Sequence, residues 1–224
     1  MSYDWTPLLL SFKLAAVTTL ILAVIGIPFA WWLSATRTRF KPALEALVSM
    51  PLVLPPSVLG FYLLLAFSPN NFFGKFIDQW FGVRLAFSFE GLVIASVIFS
   101  LPFMVHPVQS GFQSLPASLS EAACTLGKSR FVTFLRVLLP NIKPSLLAGM
   151  VLAFAHTIGE FGVILMIGGK LPGETLTASI VIYDEVGSLH YATANFYAMV
   201  LFAVCFTILL VVFLLNKKIL RAGG

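Results

Sequence analysis

The sequence predicts an all-α membrane protein, one bundle of about five transmembrane helices. Three observations carry this. Hydrophobic residues fill 59% of the 224 positions and charged residues only 10%, against about 25% charge in a soluble domain. Mean hydropathy is +0.98. Five stretches are apolar enough to cross a hydrocarbon core of about 30 Å, which takes about 20 helical residues. A soluble enzyme would expose too much of that surface, and disordered chains lack such residues. One bundle exhausts the length, so residues 1–224 read as a single transmembrane domain.

The first span covers about residues 8–34 and is interrupted only by Lys13. The residues before it carry no basic n-region and the stretch is too long for an h-region, so it reads as a span and not as a signal peptide. The second span covers about 44–67, the third 85–105, the fourth 145–167 and the fifth 193–215. Cations set the orientation, because cytoplasmic loops are rich in Lys and Arg. Arg37, Arg39 and Lys41 follow span one. Lys128, Arg130, Arg136 and Lys143 lie between spans three and four, and Lys217, Lys218 and Arg221 close the chain. Lys75 and Arg84, diluted by Asp78, and Lys170, beside Glu174, Asp184 and Glu185, lie on the opposite side. The expected topology has the N-terminus outside and the C-terminus in the cytoplasm. The net charge of +5 is therefore topogenic and not a nucleic-acid footprint, which needs a clustered basic face.

The polar stretch at about 106–144 reads as helical. Ser118 and Glu121 fit a capping box with Ser118 as N-cap. Ala122, Ala123 and Leu126 favour helix, and Gly127 stops it. A second helix over about 129–138 puts Phe131, Phe134, Leu135 and Leu138 on one face. Pro140 and Pro144 break the chain before span four. A mere connector needs none of this.

Span two holds Pro51, Pro55 and Pro56, followed by Ser57. Proline removes a backbone donor, and such breaks survive in lipid where protein or a water-filled cavity covers them. The segment is expected to face the bundle interior, as a kink or as a break lining a pathway. In span four His156 and Glu160 stand four apart, hence on one helix face. Ionisable residues at depth are costly and mark function by default; a structural tie between helices is the alternative. Gly159, Gly162, Gly168 and Gly169 permit close packing or hinging. Residues 171–183 form a turn and a short amphipathic piece on the outer side. His106 and His190 are expected at the surface, and three dispersed histidines make no metal site. Cys124 and Cys205 are too far apart in sequence and setting for a disulfide framework.

Glu121-Ala122-Ala123, three residues, Gly127, nine residues, Val137, one residue, then Leu139-Pro140 resembles the EAA loop of ABC-importer permeases, with Val137 in an Ile position. The segment from Pro51 to Leu64, the run Ile158-Gly159-Glu160-Phe161-Gly162 and the run Pro172-Gly173-Glu174-Thr175 resemble molybdate permeases, and sulfate permeases share a similar Gly-Glu-aromatic-Gly pattern. The similarity covers about residues 8–216.

This resemblance implies the MetI-like fold of an ABC importer permease in the bacterial cytoplasmic membrane. It implies a second copy of the chain, two ATPase subunits, and a periplasmic or surface oxyanion-binding protein. The coupling loop, about 110–144, would meet the ATPase through Glu121, Ala122, Ala123, Gly127, Leu139 and Pro140. The pathway or gate would draw on Pro55, Pro56, Ser57, His156, Gly159, Glu160 and Gly162. No Walker A pattern occurs, so ATP and Mg are expected on the partner ATPase and no cofactor on this chain. The expected cargo is molybdate, with tungstate, sulfate or thiosulfate as alternatives. Lys13 and His156 are the cations within spans, which suits a path that passes an anion without holding it. Glu160 repels a dianion, so it is expected to be tied to His156 or to backbone donors and to position a gate. A stand-alone secondary transporter would call for more carboxylates in the spans, and an enzyme for a catalytic cluster.

Overall fold

The computed structural model describes the backbone of residues 3–222 and side chains through residue 214. Residues 1 and 2 and the side chains of Lys217, Lys218 and Arg221 lie outside the described residues. Every regular element is helical among them. Helix α1 (Thr6–Ala35) starts with Pro7 in its first turn, where a missing N–H costs nothing. Just ahead of it the Asp4 carboxylate accepts from the Thr6 amide at 2.9 Å. Those Thr6 bonds hold the Asp4 carboxyl below its usual range.

Span two is broken. Helix α2 (Lys41–Val53) and helix α3 (Pro56–Phe67) meet at 110°. Leu54 and Pro55 are extended there, because the residue before a proline avoids the helical region. Helix α4 (Phe72–Phe81) was not foreseen; Gly82 ends it at φ 65°.

Helix α5 (Phe89–Gln113) is capped by Ser88, which accepts from the Gly91 amide at 3.2 Å. It runs eight residues past the expected end at 105, so the connecting loop starts only at Ser114. The polar residues of that extension stay helical because they find partners on α2: Gln109 donates to Glu45 at 2.7 Å, and His106 pairs with Ser49 at 3.1 Å. His106 is half-buried there, while His190 is exposed and bonded to Glu185.

Helix α6 (Ala117–Thr125) and helix α7 (Arg130–Thr133) flank Gly127. A π-helical turn, Phe134–Leu138, and helix α8 (Leu139–Asn141) follow. The chain then bends by 82° into helix α9 (Lys143–Gly159). Span four is also interrupted, at Glu160 and Phe161, before helix α10 (Gly162–Gly168). Helix α11 (Ala178–Gly187) and helix α12 (Tyr191–Ala222) complete the chain.

Helices α1, α5 and α12 are long and apolar enough to cross a membrane, and the described residues give up to five spans if each of two bent pairs counts as one. The bundle packs around α5. Leu22, Ala30 and Leu33 of α1 and Ala153 of α9 close on Met104, Val105 and Val108. In lipid the hydrophobic effect does little between helices, so close packing of small residues has to hold them. Gly26 of α1 and Gly149 of α9 serve this: a Cβ on either would stand 3.1 Å from Met104 atoms. A second core joins Leu14, Leu92 and Phe99 to Val163, Ile164 and Ile167. A third seats α11 and α12 on the start of α1, where the Tyr197 hydroxyl donates to the Asp4 carbonyl at 2.6 Å.

Candidate functional site: an exposed turn and a broken span

Two regions gather the residues singled out in the sequence. The first is the projecting pair α6–α7. At its turn the Lys128 amide donates to the Ala123 carbonyl at 3.0 Å and the Gly127 amide to the Cys124 carbonyl at 2.9 Å. This is a Schellman closure, which needs a left-handed residue; Gly127 supplies it at φ 68°. Ala123 is buried, while Glu121, Ala122 and Gly127 are exposed. Leu126 and Phe131, 75% and 66% exposed, flank the turn as an apolar tip.

The tip is held by its base. Phe134 is buried, with its ring 4.6 Å from Trp31 of α1 and 5.9 Å from Phe112 of α5. Leu138 is buried beside it, but Phe131 and Leu135 are exposed, so the expected four-residue face is split. Leu139 packs against the same core, and Pro140 is exposed. The tip is thus joined to α1 and α5 through aromatic contacts, and to α9 through the 82° bend.

The capping box at Ser118 is not formed. Pro116 occupies the N-cap position, and its φ of −65° already presets the start of α6 two residues earlier than Ser118 would. Ser129 is the cap that sequence reading missed: its hydroxyl accepts from the Val132 amide at 3.3 Å.

The second region is the broken span. The corner Pro55-Pro56-Ser57 is exposed in the single chain, not interior as expected, because the 110° bend pushes it out of the bundle. One side of Pro56 is nonetheless covered. A Cβ on Gly162 would stand 2.7 Å from the Pro56 Cβ, so two segments far apart in sequence meet at their breaks. Gly60 extends the contact to Val163 and Met166 of α10. Gly168 also packs closely, against Leu92 and Thr175, while a Cβ on Gly159 meets open space.

His156 and Glu160 do not bond to each other, and Nε2 of His156 is buried with no hydrogen-bond partner. Glu160 is the first residue outside α9, and its ψ of 137° turns the chain that follows it away from the helix axis. The carboxylate is 4% exposed and accepts from Ser96 of α5 at 3.4 Å. Its backbone carbonyl accepts from Ser179 of α11 at 2.7 Å. His156 stacks on Phe103, with centroids 4.0 Å apart. Next to the carboxylate, Ser100 and Thr157 bond at 2.9 Å. Sequence reading missed this hydroxyl seam. Ser96 and Ser100, one helical turn apart within an apolar run, were the signal. One Glu160 oxygen, Oε1, is buried with no hydrogen-bond partner.

Residues 10–221 match the family described as binding-protein-dependent transport system inner membrane component. The molybdenum transport system permease protein ModB of Azotobacter vinelandii is 46% identical over 204 residues, 90% of each chain. The sulfate transport system permease protein CysT of Salmonella typhimurium is 34% identical over 209 residues, 93% of this chain and 74% of that one. Among solved structures, an inward-facing MetNI methionine ABC transporter superposes with a TM-score of 0.71 at 17% identity, covering 97% of this chain and 94% of that one. A bacterial alginate ABC transporter in complex with an alginate pentasaccharide-bound periplasmic protein reaches 0.77 at 18% identity, covering 98% and 80%. The broken spans around α5 and the projecting α6–α7 turn thus occur on the fold of ABC importer permeases, and the chain belongs to the binding-protein-dependent transport system inner membrane component family.

Proposed function

We propose that this chain is the permease subunit of an ATP-driven importer of tetrahedral oxyanions, molybdate first among them. Two copies form the path, two ATPase subunits bind ATP and Mg on the cytoplasmic side, and an external binding protein delivers the ion. The N-terminus is outside and the C-terminus cytoplasmic.

The observation that carries this reading is the α6–α7 turn. A short helix closed by a left-handed glycine, tipped by exposed Leu126 and Phe131 and braced on two long helices through Phe134, has the form of a peg for a partner's groove. Its residues carry the EAA spacing. ATP-driven closure of the ATPase pair would pull the peg, and Phe134 would transmit the pull to α1 and α5. At the broken span, Glu160 is braced by α5 and α11, so it positions the gate and leaves the ion to neutral donors.

The test is ATP hydrolysis by the chain reconstituted with its ATPase in liposomes, with and without molybdate-loaded binding protein. Stimulation is expected, and is expected to vanish in Gly127→Pro, which forbids φ 68° and removes the Gly127 amide donor. No response to any loaded binding protein would reject the reading. The 34% identity to a sulfate permease makes sulfate-loaded binding protein the second arm; a response there alone would reassign the cargo.

A further inference from the structure

A cleft between α2 and the polar end of α5 is lined by Lys41, Glu45, His106, Gln109, Ser110 and Gln113. It is a wide-open cleft of about 600 Å³. All six lining residues are polar in a chain that is 59% hydrophobic. Its position is cytoplasmic by charge: Lys41 opens α2 directly after Arg37 and Arg39, and Gln113 leads into the projecting α6 segment.

The bonds inside the cleft decide which donors remain. Ser49 gives its hydroxyl proton to the Glu45 carbonyl at 2.7 Å. His106 Nε2, 3.1 Å from the Ser49 hydroxyl oxygen, is then the donor of that pair. The Gln109 amide donates one hydrogen to Glu45 Oε1 at 2.7 Å, and Lys41 Nζ stands 4.0 Å from that same oxygen. A Lys preceding Glu by four residues is the weaker orientation of a helical ion pair. The Glu45 carboxylate therefore occupies, without saturating them, the two donors that best suit an anion.

We infer that this cleft is an exit site for a tetrahedral oxyanion, held by Lys41 and Gln109, with Glu45 as a built-in competitor that favours release. The inference rests on the oxyanion-importer reading above. An ion arriving from the membrane meets an ammonium and side-chain amides, and takes them from Glu45. The displaced carboxylate stays tethered beside the ion and repels it. Such a site binds strongly enough to draw the ion through and weakly enough to let it go, as conduction requires. Ser49 and His106 keep α2 and α5 at the spacing the exchange needs.

The test uses the complete importer, permease with its ATPase, nucleotide-free in nanodiscs, and labelled molybdate in equilibrium dialysis. Glu45→Gln keeps an acceptor for Gln109 but drops the charge. It is expected to bind molybdate about tenfold tighter and to slow uptake into liposomes. Lys41→Gln and Gln109→Ala are expected to bind about tenfold weaker, the effect of one charge-assisted hydrogen bond. Tungstate and sulfate are run alongside. Normal uptake with unchanged binding in all three variants, or shifts of the same sign in Glu45→Gln and Lys41→Gln, would overturn the exit site alone. Absence of uptake of every oxyanion by the wild type would overturn the importer reading and this site with it.

Discussion

Gly162 and Pro56 are in contact across the two broken spans, so near that a Cβ on the glycine would stand 2.7 Å from the Cβ of the proline. The contact lets α10 lie against α3 and holds the exposed Pro55-Pro56-Ser57 corner from within the chain. Both partners are stiff. The proline ring cannot rotate away, and the glycine has no side chain to trim.

Gly162→Ala is therefore expected to destabilise, by about 1–3 kcal/mol as overpacking does, and to slow uptake. Gly159→Ala is the control. A Cβ there meets nothing within 4 Å, and Ala outranks Gly in a helix by about 1 kcal/mol. Thermal unfolding of the two variants in detergent should move in opposite directions. Equal losses would mean that the Pro56 contact is not what Gly162 is for.

The glycine at the projecting turn obeys a different rule. Gly127 has open space around it but φ 68°. Substitution there is limited by the backbone and not by packing. Gly127→Asn should keep more binding-protein-stimulated ATP hydrolysis than Gly127→Ala, because Asn tolerates the left-handed region and Ala does not. The reverse order would point to side-chain size as the constraint.

Caps give a third prediction. Ser129 accepts from the Val132 amide, so Ser129→Ala should cost about 1 kcal/mol and loosen the peg, read as faster hydrogen exchange over residues 130–138. Ser118 lies inside the first turn of α6 without a capping bond, so Ser118→Ala should be neutral or slightly favourable.

Spans and the projecting turn at Gly127 were legible because both are written in local sequence. Hydropathy marks the apolar runs, and Gly127 needs only its own φ. What the sequence hid depends on partners far along the chain. His106 and Gln109 read as loop residues because Ser49 and Glu45, which keep them helical, lie 57 and 64 positions away. The four-residue spacing of His156 and Glu160 suggested a bond between them, but the carboxylate's hydrogen-bond partner is Ser96, 64 positions away. Helix α4 alternates Phe72, Phe73, Phe76 and Trp80 with Gly74, Lys75 and Asp78. That pattern is too short for a span and too apolar for a loop, so it fits neither class.

The last prediction concerns what Glu160 is tied to. Its carboxylate faces Ser96 of α5, and its carbonyl is bonded by Ser179 of α11, so this one residue joins three helices at the break. His156 instead lies on Phe103 and Phe99. Double-mutant cycles on stability separate the two. Groups that share a hydrogen bond couple by about 0.5–3 kcal/mol, and independent sites add to within about 0.5 kcal/mol. Glu160→Gln should couple to Ser96→Ala and add with His156→Ala. If Glu160 positions a gate, as proposed, uptake should follow the same pattern. Coupling of Glu160 to His156 with none to Ser96 would mean that the carboxylate is tied to His156 and not to α5.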